Sequence, residues 1–331
     1  MVRTYALLIG MNAAAWSWAA FAFGRHPALW SLGVMAYVFG LRHAFDADHI
    51  AAIDNVVRKL MQQGRNASTT GLFFSLGHST VVVLACVAIA ASTAPLQRRL
   101  EHLHDIGGAI GTMVSASFLL LIGLVNLFIL RRTWLAFRNV RRGVGSPDDG
   151  AADAPAAAGL IAHLCRPLLR LVSSPWHMYP VGLLFGLGFD TATEVGLLGI
   201  SAQSSLHGAP VAAVLALPAL FTAGMSLLDT TDSVLMTRAY GWAFVHPLRK
   251  LWYNLTITAA SVVAALCIGG VEAAALLAEK FHLRAGFWRL VTGMNEDFSS
   301  LGYLVVGIFL ASWACSMVVY RLRNPERVAA G

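Results

Sequence analysis

Eight stretches of about 20 mostly apolar residues run through this chain. A helix of that length, rising 1.5 Å per residue, crosses a hydrocarbon core of about 30 Å. The stretches fall at about 5–23, 29–52, 70–92, 106–130, 178–200, 211–236, 254–277 and 301–320. Only 12% of the 331 residues are charged and 57% are hydrophobic, whereas a soluble domain carries about 25% charge. So little charge cannot cover a soluble surface of this length. The expected fold is therefore an all-α integral membrane protein with eight transmembrane helices. The first stretch could pass for a signal peptide, but one basic residue (Arg3) precedes it and no small-x-small cleavage site follows. It is kept as a span.

Lys and Arg set the orientation, because they collect in cytoplasmic loops. With the N-terminus inside, the cytoplasmic segments hold 17 of them, among them Arg58, Lys59 and Arg65 and a group of seven from Arg131 to Arg170. The opposite side holds 6, and Arg42 lies inside a span. Both termini are expected in the cytoplasm. The same placement accounts for the net charge of +7 without nucleic acid or another polyanion as partner. Three parts follow: residues 1–130 with four spans, a basic and low-complexity cytoplasmic loop at 131–177, and residues 178–331 with four spans and a short tail. The four cysteines, Cys86, Cys165, Cys267 and Cys315, are scattered singly, so no CxxC pair exists. The HExxH, GxSxG and nucleotide-binding GxxxxGK[ST] patterns are absent from the sequence as well.

The informative residues are the ionisable ones inside spans, since burying charge in hydrocarbon is costly and usually functional. Span two carries Arg42-His43-Ala44-Phe45-Asp46-Ala47-Asp48-His49-Ile50 and then Asp54; span three carries Leu76-Gly77-His78-Ser79-Thr80. Span five carries Leu187-Gly188-Phe189-Asp190-Thr191-Ala192-Thr193-Glu194, and span six carries Gly224-Met225-Ser226-Leu227-Leu228-Asp229-Thr230-Thr231-Asp232. Seven carboxylates and three histidines stand there against one arginine. That surplus calls for a cation, and imidazole with carboxylate suits a divalent transition metal. On a continuous helix His43, Asp46 and His49 wind along one side, and Asp190 with Glu194, and nearly Asp229 with Asp232, share a face. Asp48 falls about 140° from His43, so His43, Asp48 and His49 converge on one ion only if the helix unwinds. No Pro or Gly stands within 42–54 to break it. The other arrangement has Asp48 orienting an imidazole or facing another helix.

These four segments resemble the motifs of the nickel/cobalt transporter family, single-chain permeases for Ni²⁺ or Co²⁺. RHAFDADHI, with its H-x4-D-H core, LGHSTVV, LGFDTATE and GM-x3-DT-x-D occur in the family's order, and the likeness covers nearly the whole chain. It is closest to hydrogenase-linked nickel permeases. The resemblance implies a multi-pass protein of the bacterial inner membrane with Ni²⁺ or Co²⁺ as transported substrate and no resident cofactor. It puts metal handling on His43, Asp48 and His49, with His78, Asp190, Glu194, Asp229 and Asp232 as supporting positions; Asp46, on the side of span two shared with both histidines, completes the candidate site. The motifs do not separate nickel from cobalt.

Phe39-Gly40-Leu41…Phe45-Asp46 also echoes Phe185-Gly186-Leu187…Phe189-Asp190. The echo suits an inverted repeat of spans 2–4 and 5–7, as in many secondary transporters, with chance similarity as the even alternative. Blander readings apply elsewhere. Asp54 is either a solvated helix end or an exit relay, Glu272 is interfacial, and Thr191, Thr193, Thr230 and Thr231 bond helix backbone or neighbouring helices. Two rival functions are a membrane-embedded metalloenzyme, which would need a larger histidine cluster, and a metal sensor that carries no flux.

Overall fold

The structure is a computed structural model that describes residues 2–24, 26–91, 94–141, 172–188, 191–243 and 247–296, together with 302–305, 307–308 and 311. Among them there is no strand. The helices are α1 (Val2–Phe23), α2 (Pro27–His43), α3 (Ala47–Gln62), α4 (Thr70–Ala91) and α5 (Ala94–Arg141). After a 3₁₀ turn at Pro175–His177 come α6 (Met178–Phe185), α7 (Ala192–Leu206), α8 (Val211–Ala243), α9 (Pro247–Lys280) and α10 (Phe287–Glu296).

Five segments are long and apolar enough to cross a membrane: Val2–Phe23, Thr70–Ala91, Gly108–Phe128, Val211–Ala239 and Thr258–Lys280. They match the first, third, fourth, sixth and seventh stretches of the sequence. The second and fifth differ for one physical reason: each is broken. The stretch at 29–52 splits into α2 and α3, because His43 ends one helix and Asp46, in extended backbone at φ −64° and ψ 141°, begins the next. The stretch at 178–200 splits into α6 and α7, with Thr191 (φ −92°, ψ 145°) as the cap that starts α7. Most of the eighth stretch, 301–320, lies outside the described residues.

Packing places α8 at the centre, against α1, α2, α3 and α4, while α5 pairs with α9 and α4 with α6. Small residues let these backbones approach closely, as membrane helices require. A Cβ on Gly77 of α4 would overlap the Tyr179 carbonyl, and one on Gly182 of α6 would overlap the Phe74 carbonyl. Two apolar cores result. One is built around α3, with Ile50, Ile53, Val56, Val57 and Leu60 against Phe74, Leu119 and Phe185. The other joins α1, α2, α7 and α8 through Phe23, Ala36, Leu197, Leu220 and Phe221. Large apolar side chains such as Leu7, Phe21, Leu84 and Val263 are exposed on the outside, as expected of lipid-facing helices.

Three placements depart from the sequence reading. Arg58, counted there as a loop residue, is buried at 1% exposure on α3, donating from Nη2 to Asn55 Oδ1 at 3.0 Å. Asp54 is fully buried and accepts from Ser261 Oγ at 2.5 Å, so it is not a solvated helix end. Glu272 is buried and accepts from Ser115 Oγ at 2.9 Å rather than lying at an interface. For Arg58 and Asp54 the cause is α3: because the chain breaks at 44–46, the segment after it turns into the bundle and carries its polar residues inside.

Candidate metal centre

The break after α2 gathers the site. His43 is the last residue of α2 and His49 lies in the first turn of α3. On one continuous helix their side chains would stand about 9 Å apart along the axis and about 120° apart around it; with a turn between them the rings meet, centroids 4.5 Å apart. His78 of α4 completes a triangle, at 4.7 Å from His43 and 4.9 Å from His49. One nitrogen from each ring can be chosen so that all lie within 4.8 Å of one another. The three are buried, at 3% exposure or less. The cluster sits where the two cores meet, with Phe221 of one packed on His43 and Phe74 of the other edge-on to His49.

Carboxylates surround the rings. Glu194 Oε1, from the first turn of α7, lies 2.8 Å from His78 Nε2 and 3.9 Å from His43 Nε2. The two Nε2 atoms are 3.0 Å apart. Asp46 Oδ2 lies 2.7 Å from His43 Nδ1, and Asp229 Oδ2 of α8 lies 3.5 Å from His49 Nδ1. Beyond that last pair, neither ring nitrogen of His49 has a hydrogen-bond partner among the described residues, nor has His78 Nδ1. Buried polar atoms are rarely left so. Helix ends add to the electrostatics: α2 presents its partly negative C-terminus at His43, and acids in the first turns of α3 and α7 offset the positive N-termini there. The arrangement is a buried cluster of nitrogen and oxygen donors with excess negative charge, suited to a divalent transition metal.

With that geometry established, comparison with known proteins gives a consistent answer. The family described as "High-affinity nickel-transport protein" matches residues 29–319. The chain belongs to the high-affinity nickel-transport family. Similar members include the "High-affinity nickel transport protein" of Cupriavidus necator, 53% identical over 98% of this chain and 92% of that protein. The "Hydrogenase nickel incorporation protein HupN" of Bradyrhizobium diazoefficiens is 51% identical over 95% and 82%. The "Cobalt transport protein NhlF" of Rhodococcus rhodochrous is 42% identical over 89% and 84%. No solved structure matches the chain.

For this member of the nickel-transport family, the sites named from sequence separate into groups. His43, His49, His78 and Glu194 come together, with Asp46 and Asp229 touching two of the rings. Asp48 is half-buried and stands outside the three-histidine group; Asp232 is half-buried one turn beyond Asp229 on α8. Asp190 lies outside the described residues. Two members of the site were assigned only a structural part from sequence. Thr193 Oγ1 and Thr191 Oγ1 lie 3.2 and 3.3 Å from His43 Nδ1, and Thr191 Oγ1 donates to Glu194 Oε2 at 3.0 Å. The available signal was the run Thr191-Ala192-Thr193-Glu194, the T-x-x-E pattern that starts a helix and so marks an interruption in span five.

Proposed function

We propose that the chain is a permease that carries Ni²⁺ across the bacterial inner membrane into the cytoplasm, with Co²⁺ as the second candidate cargo. The observation that carries this is the set of three buried imidazoles beside a buried glutamate, His78 Nε2 to Glu194 Oε1 being 2.8 Å. His43, His49, His78 and Glu194 would exchange the water of the arriving ion for nitrogen and oxygen. Asp229 receives the charge on the far side of His49, and Asp48 and Asp232 line the approach or exit. Relatives named for nickel and for cobalt transport support the choice of cargo.

The proposed frame has eight crossings with both termini in the cytoplasm, divided by the basic segment at 131–177. An inverted repeat of spans 2–4 and 5–7 is supported by the two interruptions: each follows a Phe-Gly-Leu segment, and each opens a new helix at a capping residue. Discontinuous helices in corresponding halves are a recurring way to build an ion site near the midplane. The test is accumulation of radioactive nickel by cells expressing the wild type, His43→Ala or Asp48→Ala. Wild-type accumulation well above that of cells without the protein, lost in His43→Ala and reduced in Asp48→Ala, is expected. Equal accumulation with and without the protein overturns the reading in favour of a sensor without flux. Competition by Co²⁺, Zn²⁺ and Mn²⁺ in the same assay ranks the cargo.

A further inference from the structure

We propose that Asp46 is a positioning residue rather than an ion ligand: it accepts a hydrogen bond from Nδ1–H of His43 and thereby turns the Nε2 lone pair toward the ion. The proposal rests on the transport reading above and deepens it. An imidazole has its two nitrogens on opposite edges of the ring, and its Nε2 can bind a metal only when the proton is on Nδ1. His43 Nε2 is the nitrogen that faces the other donors, 3.0 Å from His78 Nε2 and 3.9 Å from Glu194 Oε1. Asp46 Oδ2 is at the other edge, 2.7 Å from Nδ1, behind the ring as the ion would see it. Carboxylate, imidazole and metal in that order is a recurrent arrangement that fixes the ring and raises its basicity.

Two further observations separate this role from an ordinary one. Asp46 occupies the cap position of α3, where an aspartate normally accepts from the free N–H groups of the first turn and adds about 1 kcal/mol of helix stability. Its side chain makes no such bond; it is turned back to His43 instead. The second observation is the company at Nδ1. Thr193 Oγ1 and Thr191 Oγ1 stand 3.2 and 3.3 Å from the same atom, and a hydroxyl can donate as readily as it accepts. Beside an ionised carboxylate, which only accepts, Nδ1 must carry the proton. Without that carboxylate, the Thr193 hydroxyl can donate to a bare Nδ1, the Thr191 proton being held by Glu194. The proton then moves to Nε2, where it blocks the ion. Asp46 decides between the two tautomers.

The experiment uses the full chain in lipid nanodiscs, with Ni²⁺ titrations by calorimetry and ¹⁵N-histidine NMR of the ion-free protein, His43 being assigned by its loss in His43→Gln. The wild type is expected to show His43 protonated at Nδ1. Asp46→Ala should bind Ni²⁺ about 10–100-fold more weakly, with the His43 signal moved to the Nε2-protonated form. Asp46→Asn, whose amide oxygen still accepts, should keep the Nδ1-protonated signal and lose less affinity than Asp46→Ala. An unchanged tautomer in Asp46→Ala overturns the proposal, and so does equal loss of affinity in the two variants, which marks a direct ligand. A wild-type His43 protonated at Nε2 overturns it without any variant, whether or not Asp46→Ala folds. A wild type that binds no Ni²⁺ overturns the transport reading instead, and the tautomer comparison still decides the part played by Asp46.

Discussion

At the residue scale, Glu194 shows how one side chain can serve both the cargo and the frame. Its Oε1 faces His78 and His43, while its Oε2 is held by the Thr191 hydroxyl at 3.0 Å. Glu194→Gln keeps the shape and removes the charge, and its amide group either turns a donor toward the cation or breaks the bond to Thr191. The KM for nickel uptake should rise by about tenfold or more, equivalent to about 1.4 kcal/mol, while the purified protein keeps its wild-type melting temperature. An unchanged KM would remove Glu194 from the ion's path. The histidines and Glu194 were legible in the sequence because ionisable groups are conspicuous in apolar runs. Thr191 and Thr193 were not, because a threonine in a membrane helix usually bonds its own backbone. Thr230 and Thr231 of α8 do so, donating to the Ser226 and Leu227 carbonyls at 2.6 and 2.7 Å. Only the end of a helix, where no preceding carbonyl competes for the hydroxyl, frees such a residue to reach His43.

At the scale of elements, the two interruptions decide what the chain can gather. Periodicity alone made spans two and five continuous, since neither the apolar content nor the length changes at the break. The signals lay in capping chemistry: Asp46 before α3, and Thr191 with Glu194 three residues on before α7. Five uninterrupted segments were legible to within a few residues at either end because each apolar run continues as a single helix. The interrupted segments depend on unbroken neighbours for their place. His78 and Phe74 are on α4, and α6 crosses that helix with Gly182 against the Phe74 backbone. Gly182→Val puts a branched side chain where even a Cβ overlaps the Phe74 carbonyl. The crossing must open, which should cost about 1–3 kcal/mol as overpacking does. A lower melting temperature in detergent and reduced uptake at unchanged membrane abundance are expected; wild-type values in both would show that the close crossing is dispensable. Gly182→Ala should fall between the two.

At the scale of the whole molecule, charge is sorted by function. The sequence places most basic residues in loops, while buried Asp46, Glu194 and Asp229 collect around three histidines; Arg58 is an exception, a cation held inside the bundle by Asn55. A membrane potential is by itself enough to concentrate a dication. An inside-negative potential of 100 mV stabilises a doubly charged ion on the inner side by about 4.6 kcal/mol, twice the value for one charge. That corresponds to roughly a thousandfold accumulation or more at equilibrium. The buried donors then have a limited task, to replace the water of the ion well enough to admit it and weakly enough to release it. The expectation can be measured in proteoliposomes with a potassium diffusion potential set by valinomycin. Radioactive nickel should enter faster and to a higher level as the interior is made more negative, with no pH difference imposed. It should only equilibrate when potassium is equal on both sides. Uptake indifferent to the potential, but driven by an imposed proton gradient at zero potential, would instead give the energetic role to protons carried by the buried carboxylates.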